Sequence, residues 1–186
     1  MEPTVTLDEA QEEANQIAQS LHGMELRGDP RSRVALACFA IAQQHHAAIL
    51  ILLANKPPLQ ATAFALLRPL MEAALRGEWI SHCATDEQVK SFAMGGKKQL
   101  DMSSLIGALG KKLNDPKAHD VLYQKTWPVV SAYTHTYEHQ VQHWLSIDEV
   151  SPTYTPEQLT WLLSNASPCL KLCAASIRRL SVEARE

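Results

Sequence analysis

The stretch that most constrains this chain is Val34–Ala54, 21 residues without a single charge. A run of that length reads either as a membrane span or as the central helix of a globular protein. Gln43-Gln44-His45-His46 sits in its middle and leaves uninterrupted apolar runs of nine and eight residues. Polar groups at the centre of a span are costly, so the expectation is a buried core helix and no membrane. A helix that is apolar on nearly every side needs other helices around it. The composition supplies them, because Ala (24) and Leu (24) far outnumber Val (9) and Ile (8). Ala and Leu lose little freedom in a helix, whereas β-branched side chains lose χ1 freedom there.

Punctuation divides the rest. Thr6 or Asp8 caps a first helix that runs to about Met24 and ends at Gly23 and Gly28-Asp29-Pro30. A second helix spans about Arg31 to Ala54 and stops before Pro57-Pro58. A third runs from about Leu59 to Cys83 with Pro69 inside it, which implies a kink or a new start near Arg68. Thr85-Asp86-Glu87 opens a short helix that closes at Gly95-Gly96. An amphipathic segment over 100–113 follows, then a long helical region from Lys117 to Ser146 interrupted by Pro128. Pro156 starts a last helix that reaches about Arg179 and is kinked by Pro168. The expected architecture is all-α: one domain, a bundle of about six helices, some kinked by proline. Residues 1–30 form an acidic N-terminal helix and turn, 31–180 the core bundle and 181–186 a tail.

Seven acids precede residue 31 against one arginine, which suits neither a secretory signal nor a mitochondrial presequence. Cys38, Cys83, Cys169 and Cys173 form no Cys-x-x-Cys pair. Cys169 and Cys173 are spaced i, i+4 as packing residues are, so reduced thiols in a cytoplasmic protein are expected. The net charge of −3 gives no global attraction to nucleic acid. From Lys90 to Lys125, however, seven lysines face three aspartates. That local excess reads as a phosphate-meeting patch or as solvated helix ends.

Arg68, Glu72 and Arg76 recur at i, i+4, i+8 and form one line of charge on a segment whose other positions are mostly apolar. If that line is buried, Glu72 must bridge the arginines or a partner must meet them. It is either a structural ion network or an anion-binding pocket. His135, His139 and His143 recur every four residues, and His135 to His139 spells H-x-x-E-H. On a straight helix the outer two lie about 12 Å apart, too far for one metal, so no metal site is assigned and no cofactor is expected. The face with Tyr133, Tyr137, Val141 and Trp144 is placed opposite this histidine line. Of His45 and His46 at least one should be buried and hydrogen-bonded.

Arg76-Gly-Glu-Trp-Ile-Ser-His82 sets an arginine and a histidine five residues apart, the Arg-x(4–6)-His spacing of the HEPN ribonucleases. In that chemistry the histidine takes the 2′-hydroxyl proton or protonates the leaving 5′-oxygen, and the arginine holds the growing phosphate charge without a metal. Gly77 replaces the polar residue usual after that arginine, and the string lies mid-chain. Arg-Pro-Leu-Met-Glu-Ala at 68–73, Tyr133-Thr134-His135 and Tyr154-Thr155-Pro156-Glu157 are similar to an uncharacterised family of bacterial helical proteins, over about residues 35–180. Its helical layout resembles HEPN-type domains of toxin–antitoxin and phage-defence systems. The resemblance implies a homodimer and an RNA-processing enzyme with Arg76 and His82 as catalytic residues and Arg68, Glu72, Tyr133 and His135 around them. The alternative is a non-catalytic module of antitoxin, immunity or scaffold type that binds a partner protein. In that case the Arg/Glu line serves structure alone.

Overall fold

A computed structural model describes residues 5–96, 100–135 and 138–182. Among the described residues there are nine α-helices, one π-helical segment and no strand. The chain is therefore all-α, with more and shorter helices than six. They are α1 (Leu7–Leu21), α2 (Pro30–Ala54), α3 (Gln60–Ala65), α4 (Leu67–His82), α5 (Asp86–Ala93), α6 (Met102–Lys112), α7 (Trp127–Thr134), α8 (Glu138–Gln142) and α9 (Pro156–Arg179). The π-helical turns span His119–Thr126 and run directly into α7.

Helix starts follow the capping side chains. Thr6, Thr85 and Thr155 each close a capping box, with Glu9, Gln88 and Gln158 respectively returning the bond. Asp29 and Asp101 cap α2 and α6 by accepting from the backbone N–H of Ser32 and Ser104. The new start near Arg68 is also found. Leu66 separates α3 from α4, and Pro69 then falls in the first turn of α4, where an N–H has no intrahelical acceptor. Pro168 lies inside α9, which continues to Arg179.

The centre of the bundle is α2 against α4, with α9 closing over both. Phe39, Ala42, Ile49, Leu67, Leu70 and Leu162 are among its fully buried side chains. Gly77 makes the α2–α4 approach possible, since a Cβ there would lie within 3 Å of three carbons of the Phe39 ring. This explains the glycine that breaks the ribonuclease pattern. α2 is long and apolar enough to cross a membrane by length and composition; here it is packed by α1, α3, α4, α5 and α9. Residues 25–27 and 180–182 pair, with Arg27 N–H donating to Leu180 and Val182 N–H to Glu25.

Two expectations are corrected. The region from Lys117 to Ser146 is not one long helix, and the chain leaves α7 at His135 with extended backbone angles (φ −110°, ψ 149°). His135 therefore does not share a helix with His139, and His143 falls just past the end of α8. Tyr133, placed opposite the histidines on a straight helix, instead touches two of them: its ring lies 4.5 Å from His139 and 5.8 Å from His143. Tyr137, Lys97 and Lys98 lie outside the described residues. The other lysines of the basic stretch are exposed, and Lys125 is paired with Asp120 at 2.7 Å.

Candidate functional site

The charge line of α4 is real, and it is split. Arg76 donates from Nε and Nη2 to one oxygen of Glu72 at 2.9 and 2.8 Å, and from Nη1 to the Leu100 carbonyl at 3.4 Å. Arg68 turns the other way. Its guanidinium lies 5.1 Å from the centre of the Trp127 ring, with Nη1 3.5 Å from His135 Nε2. Glu72 therefore holds one arginine, and an aromatic ring and an imidazole accommodate the other.

His82, the last residue of α4, belongs to a different set. Its Nε2 is 3.3 Å from Glu78 Oε2. Glu78 is 2% exposed, yet it is well supplied with partners. Ser176 of α9 donates its hydroxyl to Glu78 Oε1, and Arg179 Nη2 reaches both carboxylate oxygens at 3.3 and 3.2 Å. Arg179 also donates to Ser176 Oγ at 2.6 Å. Arg76 and His82 are about 9 Å apart along the helix and about 120° apart around it. The arginine that shares a carboxylate with His82 is Arg179. Sequence reasoning missed Glu78, Ser176 and Arg179. The available signal was Glu78 one turn before His82, together with Ser and Arg at i, i+3 on the last helix.

Two surface depressions share out the remaining candidates. A cleft of about 720 Å³ lies between α2, α4 and α5. Val34, Ala37, Ile41 and Phe92 supply apolar walls, and Arg33, Glu72 and Arg76 supply its charge. A second groove of about 450 Å³ contains Tyr133 and His135 beside Gln140, Trp144 and Val150. The six candidates thus fall into three places: Glu72 and Arg76 in the cleft, Tyr133 and His135 in the groove with Arg68 against His135, and His82 beside Glu78.

Beneath the second groove is an aromatic cluster. Phe64 stacks on Tyr154 at 4.9 Å and meets Tyr133 at 4.6 Å, and His143 stacks on Tyr154 at 4.8 Å. Buried Gln140 ties it together, donating to the carbonyls of Tyr133 (2.6 Å) and Ala61 (3.2 Å) while accepting from the Tyr154 hydroxyl (2.6 Å). Burial raises the Tyr133 phenol, and takes Tyr154 up to about 12. It lowers His143, with His139 adding to the effect.

Other nucleophile and ligand chemistry is muted. Burial raises all four thiols, Cys169 and Cys173 to about 12, so they are poor nucleophiles near neutral pH. Among the described residues no three of His, Cys, Asp and Glu gather as metal ligands would. His46 is buried as expected, but its Nε2 has no hydrogen-bond partner among the described residues.

Fold and sites together define an all-helical bundle with an apolar, charge-edged cleft. The chain belongs to a family of unknown function, DUF6988, whose profile matches residues 39–185. That span holds α3 to α9 and most of α2. No curated protein and no solved structure matches the chain.

Proposed function

We propose that the protein is a non-catalytic helical module that binds a partner protein in the cleft between α2, α4 and α5. The observation that carries this reading is the character of the cleft: apolar walls, with the Arg76 charge already matched by Glu72. A surface that tracks nucleic acid needs a run of uncompensated cations for the phosphates. Here Arg33 is the remaining cation, so the cleft suits an amphipathic helix with apolar anchors and one acid. Such a helix would set its apolar side chains against Val34, Ile41 and Phe92 and its acid beside Arg33. An antitoxin, immunity or scaffold role fits this mode of binding.

The test is co-purification followed by reconstitution. A captured protein, purified separately, should rebind wild type and lose at least tenfold in affinity to Ile41→Asp, because a carboxylate two turns from Arg33, buried unpaired in an apolar interface, costs more than about 1.4 kcal/mol. Equal binding to that variant would reject the cleft as the working surface.

One observation favours a second reading, a HEPN-like metal-independent ribonuclease in the cytoplasm. Glu78 orients His82 and brings a cation, Arg179, to the same carboxylate. His82 would then act as general base or acid, with Arg179 rather than Arg76 meeting the phosphate. Incubating a mixed RNA pool in EDTA decides between the readings. Cleavage by wild type and Arg76→Ala, lost in His82→Ala and leaving cyclic-phosphate ends, would replace the binding module with the ribonuclease.

A further inference from the structure

Away from both grooves, a cavity of about 550 Å³ lies between α1, α2 and α9. Its walls are largely aliphatic, with Ile17 and Leu21 from α1, Leu36 from α2, and Leu170 and Ile177 from α9. His46 lines it from α2, is 1% exposed, and has a buried Nε2 without a hydrogen-bond partner among the described residues. A buried polar atom left unsatisfied is costly. Small-molecule sites are typically concave, mostly apolar, of this volume, and carry few polar groups. We propose that this cavity binds a small uncharged aliphatic alcohol, its chain among the α1 and α9 side chains and its hydroxyl on His46 Nε2.

The surroundings select against charge. Burial takes His46 to about 4, so the ring is neutral near pH 7 and holds no anion by charge. Glu13 of α1 is the other group whose field reaches His46, and it is paired with Lys171 of α9 at 2.7 Å, so the pair adds no net positive charge to hold an anion. A cation would meet no carboxylate among the residues lining the cavity. A hydroxyl suits the site better than a carbonyl. As both donor and acceptor it satisfies either imidazole tautomer, whereas a carbonyl satisfies only the one with a proton on Nε2. The site shares no lining residue with the proposed partner cleft, so either inference can fail alone.

The experiment titrates the full chain at pH 7.5 with 1-hexanol, hexanoate and hexylammonium. It follows the His46 ring resonances and the thermal midpoint. 1-Hexanol should shift the ring signals saturably and raise the midpoint, with hexanoate and hexylammonium at least tenfold weaker. Removing the hydrogen bond in His46→Leu should weaken 1-hexanol about tenfold, the scale of one such bond. Filling the space in Ala14→Leu should abolish binding while the His46 ring stays folded and visible. No saturable shift with 1-hexanol would mean that ordered water alone meets Nε2, and would overturn the proposal. Equal binding of all three compounds, or unchanged 1-hexanol affinity in both variants, would overturn it too.

Discussion

Arg179 on the last turn of α9 reaches the buried carboxylate of Glu78 on α4 at 3.2 Å, joining two helices that lie a hundred residues apart in the chain. The two partners are unequal. Glu78 is 3% exposed at its side chain and Arg179 is 52% exposed. Losing the carboxylate frees an arginine that can turn to water, whereas losing the arginine strands a buried charge on His82 and Ser176. Arg179→Ala should therefore destabilise by about 1–3 kcal/mol in urea unfolding. Combined with Glu78→Gln it should cost less than the sum of the two single changes, with a coupling of at least about 0.5 kcal/mol. Strict additivity would mean that the contact contributes nothing.

Gly77 yields a second prediction, on packing. Gly77→Ala forces a methyl into the Phe39 ring, which lies in the fully buried α2–α4 seam. Overpacking of this kind costs about 1–3 kcal/mol, although Ala is the better helix former. Phe39→Leu alone should also destabilise, but in its background Gly77→Ala should be nearly neutral. A Gly77→Ala protein more stable than wild type, by denaturant midpoint, would show that the seam can shift.

The contrast between these two sites shows what the sequence made legible. Helix starts carry their own chemistry, so Thr85 and Pro156 could be placed from the string alone, and the first cap could be narrowed to Thr6 or Asp8, of which the capping box with Glu9 selects Thr6. Pro69 likewise announced the break between α3 and α4. The departure from α7 at His135 had no such mark, because no proline or glycine lies between Val129 and Ser151. Its extended backbone is held by tertiary contacts, with Gln140 bonded to the Tyr133 carbonyl and the aromatic rings stacked below. The charge line on α4 was visible through its spacing. The division of that line was not, because Trp127 and His135 reach Arg68 from nearly sixty residues or more along the chain. Glu78 passed as one of the spacer residues between Arg76 and His82, since its partners lie on α9.

The aromatic cluster gives a third prediction. The Tyr154 hydroxyl is the hydrogen-bond donor to Gln140 Oε1 inside a buried network. Tyr154→Phe removes that donor without changing the ring, leaves the acceptor unsatisfied, and should cost about 1–3 kcal/mol. Burial holds the Tyr154 phenol near 12, with the neighbouring Tyr133 contributing. An alkaline absorbance titration of the native protein should therefore show late-ionising tyrosine absorbance, to which Tyr133 also contributes, and its amplitude should fall by one tyrosine in Tyr154→Phe. If the variant loses no late component, the phenol is not enclosed as described.

His46 provides the pH dependence. Its folded pKa of about 4 lies below the unfolded value of 6.5, since burial penalises the charged ring. Between those values the unfolded chain binds a proton that the folded one refuses, so stability rises with pH across that window. The contribution is fully present above about 6.5 and is lost as pH falls toward 4, on the order of 3 kcal/mol in all. His143, also lowered by burial, acts in the same direction. The capping carboxylates Asp29 and Asp101 are held below their usual value, so their stabilisation is lost only as pH falls further, through the carboxylate range. Unfolding free energies measured at intervals from pH 7.5 to 4.5 should thus fall in wild type and fall markedly less in His46→Leu. Parallel slopes in the two proteins would place the acid sensitivity on another group and show that the His46 ring accepts its proton while the bundle is still folded.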